Sequence, residues 1–381
     1  MKLSKPALLL VTMVGFLILA ITLAAGAQEL SNLSLEEAVE MGLERSSQAQ
    51  VARQELESAR IAFEEGQANL LLQPSVIQEL ALQNSWKLAQ INYRMSQSEL
   101  ALSIEEAYYN VLRAQQGLEL AHNNLERVNN QYQNIETKYS LGMVAEIDLL
   151  SAALEVDRAQ SEIQTAERGL SLAWFQLNRL IGNQEEKVYN LSTKMNFEPQ
   201  AIDLEKGLEY ALSHRLEIEQ ARDNVILKQK EVEVNSTPYT PPLTLQKSKV
   251  ELAQAQANLE NVQNSVILEV RQKYSNLKDA EAQVPLQVQS SKIAQEKLRV
   301  AQARFDAGVI TAIDLLDEQY NTYQAETTHL QAIFDYQIAQ ATFFTSLGMT
   351  LEERGKWGQE TQEAVEESPS SQEPEESPEV E

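Results

Sequence analysis

Apolar residues recur at intervals of three and four between residues 104 and 139, as on one face of a coiled-coil helix. Gln115 is the only polar member of this face. The face consists of Ile104, Tyr108, Val111, Gln115, Leu118, Ala121, Leu125, Val128, Tyr132, Ile135 and Tyr139. Helix-compatible sequence continues back to about Val76. The pattern therefore predicts a helix of roughly 65 residues, ~98 Å long at about 1.5 Å per residue.

A second copy of this pattern follows in the same chain. The block KYSLGMVAEIDLL at 138–150 recurs as RFDAGVITAIDLL at 304–316, 166 positions later. The openings LEEAVEMGL at 35–43 and LEKGLEYAL at 204–212 are also related. The second long helix is predicted to begin at about Leu245. Because both segments repeat in the same order, the chain is interpreted as a tandem duplication.

Each long helix is predicted to end at a glycine and to turn back. Gly142 and Gly308 follow the last periodic residues, where glycine accepts the left-handed conformation that closes a helix. Return helices are predicted over about residues 147–180 and 313–347. The predicted fold is all-α, with two long antiparallel helical hairpins in tandem.

Two aspartates occupy matching positions at the start of the return helices. Asp314 follows Thr311, which can serve as the N-cap, whereas Ala145 stands in the place of that hydroxyl before Asp148. One interpretation is that each carboxylate stabilises the free amide groups of a helix N-terminus. The other is that the carboxylates line a pore entrance and favour cations. The sequence leaves both open.

Composition narrows the range of functions. Glycine (13) and proline (10) are scarce, which argues against a turn-rich all-β fold. The absence of cysteine excludes disulfides, cysteine-ligated metals and thiol nucleophiles. With 31 basic and 56 acidic residues, the net charge of −25 argues against nucleic acid binding. Phosphate-binding, zinc-hydrolase and serine-hydrolase motifs are not found, so we predict no cofactor and no enzyme activity.

The amino-terminal segment has the pattern of an export signal. Lys2 and Lys5 precede a charge-free, mostly apolar stretch at 7–25, and small residues follow it. Residues 1–27 are therefore predicted to be a signal peptide cleaved after Ala27. The apolar stretch is also long enough for an uncleaved membrane anchor. Either alternative directs the remainder of the chain out of the cytoplasm.

The opposite end is predicted to be a tail. Residues 358–381 contain nine glutamates and no Lys or Arg, a composition typical of a solvated, disordered segment. The predicted division is a first repeat at 28–200, a second repeat at 201–348 and an acidic disordered tail at 349–381.

At these blocks the sequence resembles the TolC family of outer membrane efflux proteins, from about Leu33 to Met349. The resemblance rests on the LEEAV opening, the aromatic-x-x-Gly turn followed by IDLL, and the duplication. It implies a homotrimer in which each chain gives two hairpins to a twelve-helix periplasmic tunnel, a TolC-like α-barrel. It also implies localisation in the outer membrane or periplasm, with a periplasmic adaptor protein and an inner-membrane pump as partners. The chain would be a passive conduit, and the pump would supply the energy.

The resemblance places the tunnel entrance at the hairpin tips, which open like an iris and meet the adaptor. The residues that it assigns to the aperture or to adaptor docking are Tyr139, Leu141, Gly142, Asp148, Phe305, Gly308 and Asp314. Lys138 and Arg304 lie beside them, in the last turns of the long helices. They are interpreted as complementing the helix dipoles, with an adaptor contact or a salt bridge between tips as alternatives.

The sequence departs from the family where its members insert membrane-spanning β-strands. A spanning strand needs about 9–11 residues of alternating polarity. The windows 67–80 and 232–245 do not alternate over two strands, and the second contains Pro238, Pro241 and Pro242. We therefore expect little or no β-barrel. The alternative function is a non-conducting, structural coiled-coil protein of the cell envelope derived from the same scaffold.

Overall fold

A computed structural model gives the fold of the chain. The described residues are 31–183, 187–193, 195, 197–354 and 357. The predicted signal segment 1–27 and the glutamate-rich residues 358–381 lie outside them.

The first half of the chain forms four helices in the described residues. Their bounds are α1 Leu35–Arg45, α2 Ser47–Leu72, α3 Val76–Ser140 and α4 Glu146–Leu180. Helix α3 begins after Ser75, whose hydroxyl accepts a hydrogen bond from the amide of Gln78. It packs against α2 along its first part and against α4 along its last part. The predicted long hairpin is therefore α3 and α4.

The second half repeats this arrangement. Its helices are α5 Leu204–His214, α6 Leu216–Asn235, α7 Pro242–Asp306 and α8 Ala312–Leu347. Both α3 and α7 contain 65 residues, the length predicted for the first copy. Helix α7 packs against α6 and α8 as α3 packs against α2 and α4. The all-α fold and the tandem duplication are confirmed.

The two halves meet along α3, which contacts α8 toward the tips and α6 at the other end. Arg127 of α3 makes two hydrogen bonds with the carboxylate of Glu326 on α8, at 2.7 and 3.1 Å. The buried face of α3 includes Ile104, Tyr108 and Ile135 of the predicted apolar face. Across the tip half of the molecule the helices therefore follow the order α4, α3, α8, α7.

A two-stranded parallel pair lies beside the middle of α3. It joins β1 Asn32–Leu33 to β2 Asn190–Leu191. The side chain of Tyr108 is fully buried, and its hydroxyl donates a hydrogen bond to the Leu33 carbonyl oxygen at 2.9 Å. This contact fixes the chain ahead of α1 against the long helix.

Helix ends and short turns occupy the two windows tested for membrane-spanning strands. Window 67–80 holds the end of α2 and the start of α3, and window 232–245 holds the end of α6 and the start of α7. Of the helices in the described ranges, none is both long enough and apolar enough to cross a bilayer.

The first residues of the predicted tail pack against the body. Thr350 caps a helical turn at 351–354, and its amide and hydroxyl both donate to the Glu353 carboxylate. Arg354 then reaches the carboxylate of Glu105 on α3 at 2.7 Å. These local and long-range contacts hold residues 350–354 against α3 and the end of α8.

Candidate docking site at the hairpin tips

Both hairpin turns are built around a glycine in the left-handed conformation. Gly142 has φ +69° and Gly308 has φ +70°. The amide of Gly142 donates to the Tyr139 carbonyl at 2.9 Å, and the amide of Met143 donates to the Lys138 carbonyl at 2.9 Å. The second turn has the equivalent pair of bonds. These are Schellman motifs, which satisfy the last carbonyls of each long helix and fix the shape of the tip.

The return helices begin at the predicted aspartates. An Asp314 carboxylate oxygen accepts from the Thr311 amide and hydroxyl, at 2.9 and 2.7 Å, and the Asp314 amide donates to that hydroxyl. These hydrogen bonds, chiefly the one from the hydroxyl, lower the pKa of Asp314 below its usual value. Asp148 accepts only from the amide of Ala145, at 3.0 Å. Both aspartates therefore act as helix-capping residues, and Asp314 is exposed to solvent as well.

A small apolar cluster joins the two tips. Its buried members are Ile135, Ala152, Ala301, Phe305, Ala312, Leu315 and Leu316. The first two belong to α3 and α4, and the others belong to α7 and α8. Phe305, predicted as an aperture or docking residue, lies inside this cluster with 4% of its surface exposed. Packing between the hairpins therefore accounts for its apolar ring.

Lys138 connects the end of α3 to the end of α7. Its ammonium nitrogen lies 3.1 Å from an Asp306 carboxylate oxygen and 3.8 Å from the centre of the Phe305 ring. It also approaches the carbonyl oxygen of Phe305 at 3.5 Å. The cation thus complements the carboxyl-terminal end of the neighbouring long helix. A salt bridge between tips was one of the alternatives predicted for Lys138. The ion pair with Asp306 is such a bridge, and it joins the two hairpin tips of the same chain.

Replacing Lys138 by methionine is expected to loosen both tips without unfolding the chain. The change removes the ion pair and the cation–π contact, while Asp306 stays largely in solvent. The free energy of unfolding should therefore fall by no more than about 1 kcal/mol. Amide hydrogen exchange should become several-fold faster at 133–146 and at 300–312. Arg304→Met, at the matching position of the second copy, is the control, and equal exchange in the two variants would contradict the assignment.

The outer surface of the tips presents apolar side chains to solvent. Leu141, Met143 and Val309 are exposed, and Tyr139 is 39% exposed. The turn glycines have no heavy atom within 4 Å of where a β-carbon would lie. This surface is open to a partner that approaches along the axis of the hairpins.

An open groove of about 750 Å³ runs beside the tip between α7 and α8. Ile293, Val300 and Ile310 contribute apolar surface to it. Its charged lining residues are Lys292, Glu296, Lys297, Arg304, Asp314 and Glu318. Arg304 and Asp314, which the sequence assigned to the tip, thus face a lateral groove. Sequence reasoning missed the other lining residues, because their meeting depends on the packing of α7 on α8.

Comparison with known protein families identifies the family to which a chain with these two hairpins belongs. A family model described as outer membrane efflux protein matches residues 78–183 and 243–349, which is more than half of the chain. The chain belongs to the outer membrane efflux protein family. The two matched blocks are the two hairpins, and membership places this efflux protein in the cell envelope at the outer membrane. No curated protein matches it.

Solved structures share the fold of this efflux protein at low sequence identity. A membrane protein from Pseudomonas aeruginosa has 15% identity and a TM-score of 0.71, over 84% of this chain and 91% of that one. CusC, described as forming a transmembrane channel, has 14% identity and a TM-score of 0.71, over 85% and 95%. The CmeC outer membrane channel of Campylobacter jejuni has 14% identity and a TM-score of 0.65, over 86% and 89%. At these identities the likeness shows a shared fold.

Proposed function

We propose that this efflux protein is the tunnel component of a tripartite exporter, a passive conduit formed by a homotrimer and gated at the hairpin tips. A periplasmic adaptor would dock on the tips, and an inner-membrane pump would supply the energy. One observation carries the proposal. Both lateral edges of the hairpin pair expose apolar stripes that have no partner within the described part of the chain.

The first edge is the outer face of α4. Ile147, Leu150 and Leu154 are 50–60% exposed and are spaced by three and four residues, so they form one stripe along the helix. Leu172 and Phe175 expose further apolar surface on the same helix. Exposed side chains at coiled-coil spacing are typical of a helix that packs against another chain.

The second edge is the outer face of α7. Leu286, Ile293 and Val300 are exposed at intervals of seven residues, which is the heptad repeat of a helix-packing seam. The last two line the groove beside α8. Val300 lies six residues from the tip end of α7 and Leu154 lies eight residues from the start of α4, or ~9 and ~12 Å at about 1.5 Å per residue. The two stripes are therefore level.

The order α4, α3, α8, α7 places these stripes on opposite sides of one chain. Association of the α4 edge of one copy with the α7 edge of the next is a heterologous contact, which closes into a ring if the rotation allows it. Three copies would supply twelve helices around one axis. The tip cluster and the Lys138–Asp306 pair would then hold neighbouring hairpins together when the entrance is narrow. The exposed apolar tip residues would meet the adaptor.

Disulfide trapping tests the ring. The chain has no cysteine, so Leu154→Cys and Val300→Cys introduce the only thiols. Oxidation of the double variant should give a covalent three-chain species on a denaturing gel. The control pairs Leu154→Cys with Leu268→Cys, an exposed position on α7 that lies ~48 Å further from the tip. No trimer from the first pair, in a variant with unchanged circular dichroism, would contradict the proposed contact.

Planar-bilayer recording tests conduction separately. Purified trimers of the full chain should give reproducible discrete currents, and Lys138→Met should raise the fraction of time spent open. Intact trimers without current would support the non-conducting structural alternative instead.

A further inference from the structure

The end of the molecule opposite the tips is formed by two short turns. One joins α2 to α3 and the other joins α6 to α7. We refer to residues 66–78 and 234–246 together as the far end. The far end differs from the rest of the described chain in its lack of charged residues and in the high exposure of its large apolar side chains.

The two turns of the far end lie level with each other. Helices α3 and α6 run antiparallel, because Lys87 pairs with Asp223 while Arg94 pairs with Glu219. Helix α3 begins 11 residues before Lys87, and α6 ends 12 residues after Asp223. At about 1.5 Å per residue these distances are ~17 and ~18 Å. The two turns thus form one surface that points along the long axis.

The far end carries no charge. Each of its two segments has thirteen residues, and neither contains Asp, Glu, Lys or Arg. The bounding residues are Glu65 and Glu79 in the first case, and Glu233 and Lys247 in the second. Charged residues make up 23% of the chain, so about three would be expected in each segment at that average. Their absence from both copies at one level marks a surface that can leave water without desolvating an ion.

This surface presents large apolar side chains outward. The four most exposed large hydrophobic residues of the described chain are all here: Tyr239 at 96%, Leu71 at 84%, Leu72 at 82% and Leu243 at 78%. Leu71 and Leu72 end α2, Leu243 lies in the first turn of α7, and Tyr239 lies in the turn between α6 and α7. Nearby backbone groups are paired within the turns, as in the hydrogen bond from the Thr240 amide to the Thr237 carbonyl at 3.1 Å. The exposed apolar side chains of the far end can therefore enter an apolar medium at low polar cost.

We propose that the far end inserts into the interface of a lipid bilayer, with Leu71, Leu72, Tyr239 and Leu243 as shallow anchors. Side chains that are 78–96% exposed suit a fluid surface, which needs no complementary shape, whereas a protein partner is met through a packed patch. Tyrosine has an apolar ring and a polar hydroxyl, and it is enriched at the level of lipid headgroups. Family membership places the chain at the outer membrane, where such a surface is present. This proposal goes beyond conduction and holds whether or not the tunnel conducts.

The charge pattern also determines the lipid dependence of this contact. The far end is uncharged, and three of the four residues that bound its segments are glutamates, with Lys247 as the fourth, so anionic lipid gains little attraction from it. Insertion driven by apolar area is insensitive to ionic strength. Binding should therefore occur on zwitterionic vesicles and should persist in high salt.

Site-specific fluorescence on the full chain tests this contact. Single variants Leu72→Cys and Tyr239→Cys are labelled with the environment-sensitive dye NBD and mixed with phosphatidylcholine vesicles. Emission should shift to shorter wavelength and gain intensity, and a nitroxide at carbon 5 of the acyl chains should quench it. Leu141→Cys at the tip, 68% exposed, is the matched control and should remain in the aqueous state. These local readouts report the far end whatever else holds the protein to the vesicle.

A second variant measures the contribution of the anchors. Leu71→Ser with Leu243→Ser, labelled at residue 72, should need at least about tenfold more lipid for half-maximal signal. Circular dichroism should be unchanged, since both side chains are exposed. The proposal is overturned if the far-end labels show no lipid-dependent shift or shift only as much as the tip label. It is also overturned if they respond only to anionic vesicles in low salt. A shift without lipid that grows with protein concentration would assign the surface to end-to-end self-association instead.

Discussion

Replacing Arg354 by methionine is expected to lower the free energy of unfolding by about 3–5 kcal/mol, the usual cost of breaking a buried ion pair. Arg354 donates to the Glu105 carboxylate at 2.7 Å and to the Thr345 hydroxyl at 2.7 Å. The exposed fractions of the Arg354 and Glu105 side chains are only 13% and 5%. Without the guanidinium, Glu105 is left in an apolar site on α3. Urea unfolding followed by circular dichroism measures the loss.

The control for this prediction is an exposed pair of the same kind. Arg299 contacts Glu296 on the solvent side of α7, so Arg299→Met should cost less than about 1 kcal/mol. The double variant Glu105→Met with Arg354→Met should recover most of the stability, because apolar side chains of similar size often replace a buried pair well. Equal losses in Arg354→Met and Arg299→Met would show that burial does not govern this contact.

The Arg354→Met deficit should also depend on pH. Burial raises the pKa of Glu105 above its usual value of 4.5, while Arg354 opposes that rise. Removing Arg354 therefore raises this pKa further, so the folded variant holds a proton that the unfolded chain releases above about pH 4.5. Between about pH 4.5 and the raised pKa of Glu105, the folded variant binds more protons than the unfolded chain. The free energy of unfolding of the variant therefore falls as the pH rises between these two values. The deficit should be larger at pH 8 than at pH 5, and a deficit independent of pH would contradict the assignment.

Replacing Gly182 by alanine is expected to lower the free energy of unfolding by about 2–5 kcal/mol. Gly182 follows α4 with φ +78°, so any other L-residue is strained there by about 1–2 kcal/mol. A β-carbon would also lie 2.7 Å from the backbone carbonyl atoms of Arg45 at the end of α1. Backbone cannot rotate away as a side chain does, so α1 or α4 must shift.

The duplicated chain provides a matched control at Gly348. This glycine follows α8 with φ +85°, but a β-carbon there would meet its nearest atoms at 3.6 Å, an ordinary contact distance. Gly348→Ala should therefore cost only the conformational term of about 1–2 kcal/mol. The measurement is the difference between the two variants in urea unfolding. A smaller loss for Gly182→Ala than for Gly348→Ala would show that α1 does not close against α4 as described.

Local sequence signals were sufficient to predict the hairpins. The apolar spacing and the turn glycines predicted return helices at about 147–180 and 313–347, and the structure has α4 at Glu146–Leu180 and α8 at Ala312–Leu347. These features depend on residues within a few turns of one another, where helix periodicity and capping act. The left-handed glycines at both tips are local in the same sense.

Contacts between distant segments were not predictable from the sequence. Lys138 and Asp306 are 168 positions apart, and Glu105 and Arg354 are 249 positions apart. Each pair depends on which faces of α3, α7 and α8 meet, and neither leaves a periodic pattern in the sequence. For the same reason the burial of Phe305 between the hairpins was not predicted. The roles of the tip residues in docking and aperture control, and the division at 200 and 348, stay predictions.

Helices α3 and α7 reach from the far end to the tips as single rods of 65 residues, and α7 continues through Pro285. One inserted residue would lengthen such a rod by about 1.5 Å and rotate everything beyond it by about 100°. An insertion of about seven residues, two turns or ~10.5 Å, is the shortest that nearly restores the packing face, and it must occur in both copies and in the helices beside them. The distance between the far end and the tips can therefore change only in steps of about two helical turns or more. Related proteins with longer hairpins should therefore differ from this one by insertions of about seven residues at matching places in both copies, not by single residues.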